Sequence, residues 1–269
     1  MTSPLFAYSS KFDFLTYRHL QTRSKTLTNF DSHAHNGCEI LYIVEGFPEY
    51  GFEEQTVRLK PGDVIIMPPE HYHFCQVPPN EVYERINLII YPKALNAEVT
   101  LNKAVLLSNE NKTLQRIIKD LTFYQEHCET ERLKEIFEIK TRELIFIINH
   151  LLPNNDALLN STVNETLKNI LNYINANLKK NITVSDIAEH CFLSVGHVFH
   201  LFSEKLKTSP MHYVKTKKML LAQSLISSAN SKQAIHSIAT DLGFEDYSVF
   251  YRNYLKFFNH KPSDDLHKN

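Results

Sequence analysis

The first third of the chain alternates short apolar runs with turn residues. Runs rich in Ile, Val and Tyr occur at EILYIVEG (39–46), QTVRLK (55–60), GDVIIMP (62–68) and ERINLIIY (84–91). Turn-forming residues separate these runs, such as Pro61-Gly62 and Pro78-Pro79-Asn80. Many short strands at regular spacing are typical of a small barrel or sandwich. Residues 12–92 are therefore predicted to form β-structure.

The pattern changes after Tyr91-Pro92. Apolar residues at three- and four-residue spacing predict two helices, KTLQRIIKDLTFYQ (112–125) and ERLKEIFEIKTRELIFIINHLL (131–152). The second helix is apolar over much of its surface, so it packs either wholly on its own barrel or partly against a second subunit. The following segment, PNNDALLNST, is polar and aperiodic, and we predict a linker over residues 153–163.

The last hundred residues contain two similar units, ITVSDIAEHCFLSVGHVFHLFSEKL (182–206) and KQAIHSIATDLGFEDYSVFYRNYLKFF (232–258). The pattern of each unit predicts a short helix, a tight turn and a second helix. In the first unit Thr183 with Asp186 resembles a capping box, and Ser194 is placed to cap the second helix. In the second unit Gly243 can end one helix, and Asp246 can cap the next. Two such helices form a helix-turn-helix, whose second helix fits the major groove of DNA.

Helical periodicity divides each second helix into two faces. The predicted inward positions are Val198, Leu201, Phe202 and Leu206 in the first unit and Val249, Phe250, Asn253, Tyr254 and Phe257 in the second. The predicted outward positions are Gly196, His197, Phe199, His200 and Ser203, then Tyr247, Ser248, Tyr251, Arg252 and Leu255. Arg252 is the only arginine in residues 164–269, and an arginine on this face can bond a guanine edge bidentately.

Charge also separates the two halves of the chain. Residues 1–163 contain 16 Lys+Arg and 21 Asp+Glu, whereas residues 164–269 contain 13 and 9. The basic second half is the candidate for binding a polyanion. The four cysteines are scattered without CxxC spacing, no long apolar run predicts a membrane span, and the N-terminus does not resemble a signal peptide. We expect a cytoplasmic protein.

The second half of the chain resembles the DNA-binding domain of the AraC/XylS family of bacterial transcription regulators. The resemblance spans residues 164–269 and is carried by ITVSDIAEHCFLSVGHVFHLF, SPMHYVKTKKMLLAQSLI and IHSIATDLGFEDYSVFYRNYLKFFNHKPSD. It implies helix-turn-helix units at 183–206 and 235–258, joined by a long helix from Met211 to about Ser227.

This resemblance also implies which side chains contact DNA. The positions that read bases are Gly196, Phe199 and His200 in the first unit and Tyr247, Ser248, Tyr251 and Arg252 in the second. Lys215, Lys217 and Lys218 are the candidates for phosphate contacts. The sequence departs from the family where His200 replaces the usual arginine and where Gly196 offers no side chain. Which of the two helices dominates specificity therefore stays open.

The first half of the chain carries a histidine pattern. Strand alternation places His33, His35 and Glu39 on one face, and His73 lies on a later strand. The first cupin motif is similar to the pattern of His33, His35, Glu39 and Gly46, in which three residues separate His35 from Glu39 and six separate Glu39 from Gly46. The second cupin motif is similar to the pattern of Gly62, Pro68 and His73. Glu70 stands where the second motif has glycine. The resemblance implies a cupin-type barrel over residues 1–100, followed by a helical segment at 101–152 that dimerises.

In cupin enzymes the corresponding three histidines and glutamate bind a transition metal, and imidazole with carboxylate suits such an ion. Sugar-responsive members of the AraC family instead use a degenerate cupin barrel to bind a small effector. His33, His35, Glu39 and His73 are therefore candidates for either task. Weaker effector-binding candidates are Tyr17, Arg18, Tyr42, Arg58 and Arg85.

The fold class predicted from these features is a two-domain α+β chain. A cupin-type jelly-roll barrel and a helical pair precede an all-α domain with two helix-turn-helix units. The leading hypothesis is a dimeric regulator, not an enzyme, with no catalytic residues and no required cofactor. It binds promoter DNA and a small molecule, a sugar or related metabolite, and its further partner is RNA polymerase; no membrane is involved. The alternatives are a cupin metalloenzyme with a helical appendage, and a regulator that responds to stress or to a protein partner.

Overall fold

The computed structural model describes residues 5–30, 32–52, 55–101, 103–107, 112–150, 164–229 and 231–266 with their side chains, and the backbone of residues 4 and 31. The chain divides into two compact units, one rich in β-strands and one helical. This division agrees with the predicted two-domain α+β class. The predicted linker at 153–163 lies outside the described residues. Within the described parts of the chain, no helix is long and apolar enough to cross a membrane.

Ten strands build the first unit, and the predicted runs all fall on them. Their bounds are β1 Pro4–Lys11, β2 Leu15–Arg23, β3 Thr28–His33, β4 Cys38–Glu45, β5 Glu49–Phe52, β6 Gln55–Arg58, β7 Val64–Met67, β8 His73–Val77, β9 Val82–Ile90 and β10 Val105–Leu107. They form a six-stranded sheet in the order β1-β2-β9-β4-β7-β10 and a four-stranded sheet in the order β3-β8-β5-β6. Strand β10 pairs antiparallel with β7, so the sheet continues beyond the predicted barrel boundary at residue 100.

The central strands of the six-stranded sheet bury both of their faces, and alternation assigns their buried side chains to two cores. One core lies between this sheet and two helices, α1 (Lys112–His127) and α2 (Thr130–His150). The other core lies between the two sheets and forms the barrel interior. Ile40 and Tyr42 of β4 enter the first core, whereas Leu41 and Ile43 enter the second. Side-chain parity along β4 and β9 therefore decides which residues can line the interior.

In its described residues the second unit contains six α-helices, a π-helical turn and a final 3-10 turn at Pro262–Asp265. Their bounds are α3 Glu165–Ala176, α4 Val184–His190, α5 Val195–Leu201, the π-helical turn Phe202–Leu206, α6 Pro210–Ser227, α7 Lys232–Asp241 and α8 Tyr247–Phe258. The predicted long connecting helix is confirmed as α6, which begins at Pro210, where a missing N–H does no harm. Side chains of α6, α7 and α8 share one core that includes Met219, Ile235, Phe250 and Tyr254.

Candidate functional site

The first helix-turn-helix is formed by α4 and α5, and its predicted caps are confirmed. The Thr183 hydroxyl accepts from the Asp186 N–H at 3.2 Å, and the Asp186 carboxylate accepts from the Thr183 N–H at 2.7 Å. These hydrogen bonds lower the pKa of Asp186. The Ser194 hydroxyl accepts from the His197 N–H at 3.1 Å and begins α5. Local side-chain chemistry therefore sets both helix starts in this unit.

The outward face of α5 holds the three predicted base-reading positions, all exposed: Gly196, Phe199 and His200. His200 Nε2 lies 3.1 Å from Glu204 Oε2. The other carboxylate oxygen, Glu204 Oε1, accepts a hydrogen bond from Lys205 Nζ at 2.7 Å. The hydrogen bond from Lys205 lowers the pKa of Glu204, so this carboxylate is ionised at neutral pH. The ionised carboxylate beside His200 repels DNA phosphates, which makes α5 less favourable for base recognition.

The second helix-turn-helix is formed by α7 and α8. Gly243 has φ of +78°, a left-handed conformation that side chains disfavour, and it ends α7 as predicted. The Asp246 carboxylate accepts from the Ser248 N–H at 2.7 Å and begins α8. Both capping predictions for this unit are therefore confirmed.

On the outward face of α8, Ser248 and Arg252 are exposed and Tyr251 is half-buried. Arg252 makes no hydrogen bond or ion pair with the residues that the structure describes, so its guanidinium is available for a base edge. Tyr247 is half-buried and stacks on His236, with ring centroids 3.7 Å apart. One inward prediction was wrong: Val249 is 39% exposed. The core side of α8 is filled by the larger Phe250 and Tyr254, which leave Val249 at its edge.

The lysines of α6 do not share one environment. Lys215 is exposed, and Lys217 is half-buried with its ammonium 5.9 Å from the centroid of the Tyr213 ring. The assignment of Lys218 to phosphate was wrong, because its side chain is buried and its ammonium donates to the backbone O of Lys180 and of Leu242, each at 2.9 Å. Burial also lowers the pKa of Lys218. Helical spacing alone could not separate Lys218 from its exposed neighbours.

Inside the barrel, Glu39 and His73 form a buried pair. His73 Nε2 lies 3.1 Å from Glu39 Oε2, and both residues are almost fully buried. His73 Nδ1 lies 2.9 Å from the backbone O of His71, and since a carbonyl can only accept, Nδ1 carries a hydrogen. Nε2 therefore faces the carboxylate with either a proton or a lone pair. A lone pair facing a carboxylate is repelled unless a cation or a hydrogen-bond donor lies between them.

His33 ends β3 and His35 follows two residues later. One ligand atom from each of His33, His35, Glu39 and His73 lies within 4.8 Å of the others, so the structure brings the predicted set together. Two features fit a divalent transition metal: the imidazole and carboxylate donors, and the hydrogen bond from His73 Nδ1 to a backbone carbonyl, which orients metal-binding histidines. Such an ion would bind these four side chains and serve as a Lewis acid.

The barrel interior also contains two polar residues of β9, Arg85 and Asn87. Antiparallel pairing sets Asn87 opposite Leu41 and Arg85 opposite Ile43, so both face the same side as Glu39. Asn87 Nδ2 donates to Glu39 Oε1. Sequence reasoning gave Arg85 only as a weaker candidate and missed Asn87. The parity of β9 relative to β4 was the missing information, and it depends on the pairing register.

The other weak effector candidates do not line the interior. Tyr42 was assigned wrongly, because it faces the helices, where the ammonium of Lys119 lies 6.0 Å from its ring centroid. Arg58 was also assigned wrongly: it is exposed, and its guanidinium lies 5.8 Å from the ring centroid of Phe47 on the outer surface. Tyr17 faces the helices, and Arg18 is exposed. Alternation along β4 already separates Tyr42 from Glu39 by parity.

Two family models match the chain. The AraC-like ligand binding domain matches residues 19–128, and a helix-turn-helix domain matches residues 187–267. Together they span more than half of the chain, and each match lies on one of the two structural units described above.

Three relatives illustrate the range of similarity. The lactose operon transcription activator of Staphylococcus xylosus is 23% identical over 234 residues, which are 85% of this chain and 83% of that protein. The XylDLEGF operon transcriptional activator 1 of Pseudomonas putida is 28% identical over 106 residues, which are 39% of this chain and 32% of that protein. A solved structure of ToxT from Vibrio cholerae covers 94% of this chain and 97% of its own, at 12% identity and a TM-score of 0.41.

Proposed function

Because the chain belongs to the AraC/XylS family of transcription regulators, and is therefore a DNA-binding regulator and not an enzyme, we propose how it performs that task. A small molecule, a sugar or a related metabolite, binds in the barrel interior, and its binding alters how a dimer holds promoter DNA. As an activator, the dimer recruits RNA polymerase. The observation that carries the proposal is a polar cluster that includes the buried pair Glu39 and His73, on the same chain as two capped helix-turn-helix units.

The DNA contacts are divided between the two units. Helix α8 supplies most of the base specificity, because Arg252 is exposed and has no partner among the described residues. Helix α5 contributes mainly through Phe199, whose side chain is 46% exposed and can pack on a thymine methyl group. Lys215 contacts phosphate. With few lysines on this surface, one copy binds DNA weakly, and a dimer on adjacent sites binds more tightly.

The dimer forms through the exposed apolar side chains of α2. Ile139 is 60% exposed and Phe146 is 59% exposed. They are seven residues apart, which places them on one side of the helix. Side chains of this size at that exposure favour burial against a second copy of the same helix, in line with the twofold symmetry common in such assemblies.

Selection of bound duplexes from a random-sequence pool, using the full chain, tests DNA recognition. We expect enrichment of a motif with two recognition elements about one helical turn apart. A pool without an enriched motif would contradict specific binding. The enriched duplex is then titrated with the chain while sugars and sugar derivatives, first screened by thermal shift, are present. A compound that stabilises the chain yet leaves duplex affinity unchanged would contradict the coupling.

The donor set in the barrel supports a second candidate, a divalent transition metal held by His33, His35, Glu39 and His73. After chelation and dialysis, addition of Zn²⁺ or Mn²⁺ should raise the melting temperature, with one ion bound per chain by elemental analysis. Glu39→Gln should abolish the response, and Glu49→Gln, at an exposed position on β5, should retain it. An unchanged melting temperature in the wild-type chain contradicts metal binding and leaves the effector proposal standing.

A further inference from the structure

Two polar atoms in the barrel interior lack hydrogen-bond partners among the described residues. Arg85 Nη1 and Asn87 Oδ1 are both buried, and neither atom is satisfied. The two residues are neighbours on one face of β9, so a donor and an acceptor lie side by side. A buried polar atom without a partner costs roughly 1–3 kcal/mol, and more when the group is charged. Such a pair in a folded interior indicates a place where a ligand completes the hydrogen bonds.

The guanidinium of Arg85 is held in position by two aromatic rings. Its Cζ lies 4.4 Å from the centroid of the Tyr83 ring and 4.8 Å from that of Phe30. Stacking of this kind restricts the plane of the guanidinium while leaving its N–H groups at the edge free to donate. Arg85 is therefore pre-organised for a planar, charged acceptor.

Among the residues that the structure describes, no side chain neutralises the charge of Arg85. Burial raises the pKa of Cys75 to about 12 and the pKa of Tyr50 and Tyr83 well above its ordinary value, so all three are neutral at pH 7. The buried carboxylate on the same face, Glu39, is engaged by Asn87 and His73. No ion pair joins Arg85 to a carboxylate of the described residues. A cation whose Nη1 is buried and unsatisfied favours a ligand that brings a negative charge.

We propose that the effector is a hydroxylated carboxylic acid, such as a uronic or aldonic acid. Its carboxylate accepts from Arg85 Nη1, and an adjacent hydroxyl donates to Asn87 Oδ1. This inference rests on the proposed function, in which the barrel binds a small molecule. A neutral sugar could fill the same hydrogen bonds but would leave the guanidinium charge uncompensated, and charge-assisted hydrogen bonds are roughly twice as strong as neutral ones.

Matched pairs of compounds test the carboxylate. The full chain is incubated with galactose or galacturonate, and with glucose or gluconate, at equal concentration and ionic strength, and its melting temperature and calorimetric Kd are measured. We expect an acid to raise the melting temperature and its neutral partner to have no effect, since a ligand stabilises only the state that binds it.

Two arginine variants separate ligand binding from structure. Arg85→Met keeps an unbranched stem between Phe30 and Tyr83, and should weaken acid binding by about 10- to 100-fold, the loss expected for a charge-assisted hydrogen bond. The melting temperature of the ligand-free variant should be unchanged or higher, because an unsatisfied buried group is removed. Arg58→Met removes the other ring-stacked arginine, at the exposed outer surface, and should bind the acid as the wild type does.

The outcomes differ for the two levels of the proposal. A response to the neutral sugars alone overturns the carboxylate assignment and leaves an effector-binding barrel. No response to any of the four compounds overturns the carboxylate assignment, whereas the effector-binding barrel is overturned only if the wider screen of sugars and sugar derivatives also gives no response. An Arg85→Met variant that melts earlier without ligand, yet keeps the wild-type response to acid, shows that Arg85 only packs against the two rings and overturns its role in binding.

Discussion

Lys218→Met is the substitution for which the structure and the residue spacing give opposite expectations. Spacing along α6 groups Lys218 with Lys215 and Lys217 as phosphate contacts. In the folded domain its ammonium instead joins the backbone O of Lys180 to that of Leu242. The substitution should therefore reduce stability and leave the salt dependence of DNA binding unchanged.

The size of the stability loss follows from those two hydrogen bonds. Each bond to a charged donor contributes about 1.5–3 kcal/mol when it is lost. The bond to Leu242 is buried, so its carbonyl has no replacement partner, whereas that of Lys180 is partly exposed and can bind water. We therefore expect a net loss of about 2 kcal/mol, near the lower end of the range.

Urea denaturation followed by circular dichroism at 222 nm, which is weighted toward the helical unit, measures this loss. DNA affinity is measured in parallel over a series of salt concentrations. Lys215→Met is the matched control, since it lies on the same helix but is exposed. It should change stability by less than about 0.5 kcal/mol and reduce the magnitude of the salt slope by about 0.9. A Lys218→Met chain with full stability and a reduced slope would refute the reasoning.

The burial of Lys218 also predicts a dependence on pH. Burial lowers the pKa of Lys218 in the folded chain, whereas in the unfolded chain it has its ordinary value of about 10.4. Between these two values Lys218 is protonated in the unfolded chain and deprotonated in the folded chain, so the unfolded chain binds more protons. Stability therefore rises with pH in this window, because the buried ammonium loses its charge. Lys218→Met should remove this rise, and Lys215→Met should keep it.

Three further predictions concern other surfaces of the chain. Arg252→Ala should reduce the binding free energy for DNA by about 1–3 kcal/mol at one base pair, measured by fluorescence anisotropy on single-position operator variants. The control, Lys256→Ala at an exposed position of the same helix, should weaken binding to all duplexes alike. Equal weakening of all duplexes by Arg252→Ala would contradict its base-reading role. Phe192 has φ of +57° and a side chain that is 95% exposed. Because asparagine tolerates this left-handed conformation, Phe192→Asn should stabilise the domain by about 1 kcal/mol in urea denaturation. A less stable variant would show that the exposed ring makes a needed contact. Ile139→Glu combined with Phe146→Glu should convert the dimer to a monomer in size-exclusion chromatography with light scattering, and a variant that stays dimeric would place the interface elsewhere.

Local sequence chemistry predicted most of the second unit. Helix starts depend on side chains within three residues of each cap, so Thr183, Ser194 and Asp246 were sufficient to locate α4, α5 and α8. The inward positions of α5 were also correct, because helical periodicity is a local property. The failures, Val249 and Lys218, concern side chains whose exposure depends on a neighbouring helix or on a distant backbone carbonyl.

The barrel shows the same difference between features that the sequence predicts and features that only the tertiary structure decides. The sequence by itself predicted the apolar runs that form β4, β6, β7 and β9, and it grouped His33, His35 and Glu39. It placed these three residues on one alternating strand, whereas His33 ends β3, His35 lies between strands and Glu39 lies on β4. Only the tertiary structure decided that Arg85 and Asn87 face the interior beside Glu39, and that Arg58 does not. That decision depends on the register between β9 and β4, where a shift by one residue would exchange every inward side chain for an outward one. Register is set by pairing between segments more than forty residues apart, and no short-range pattern contains it.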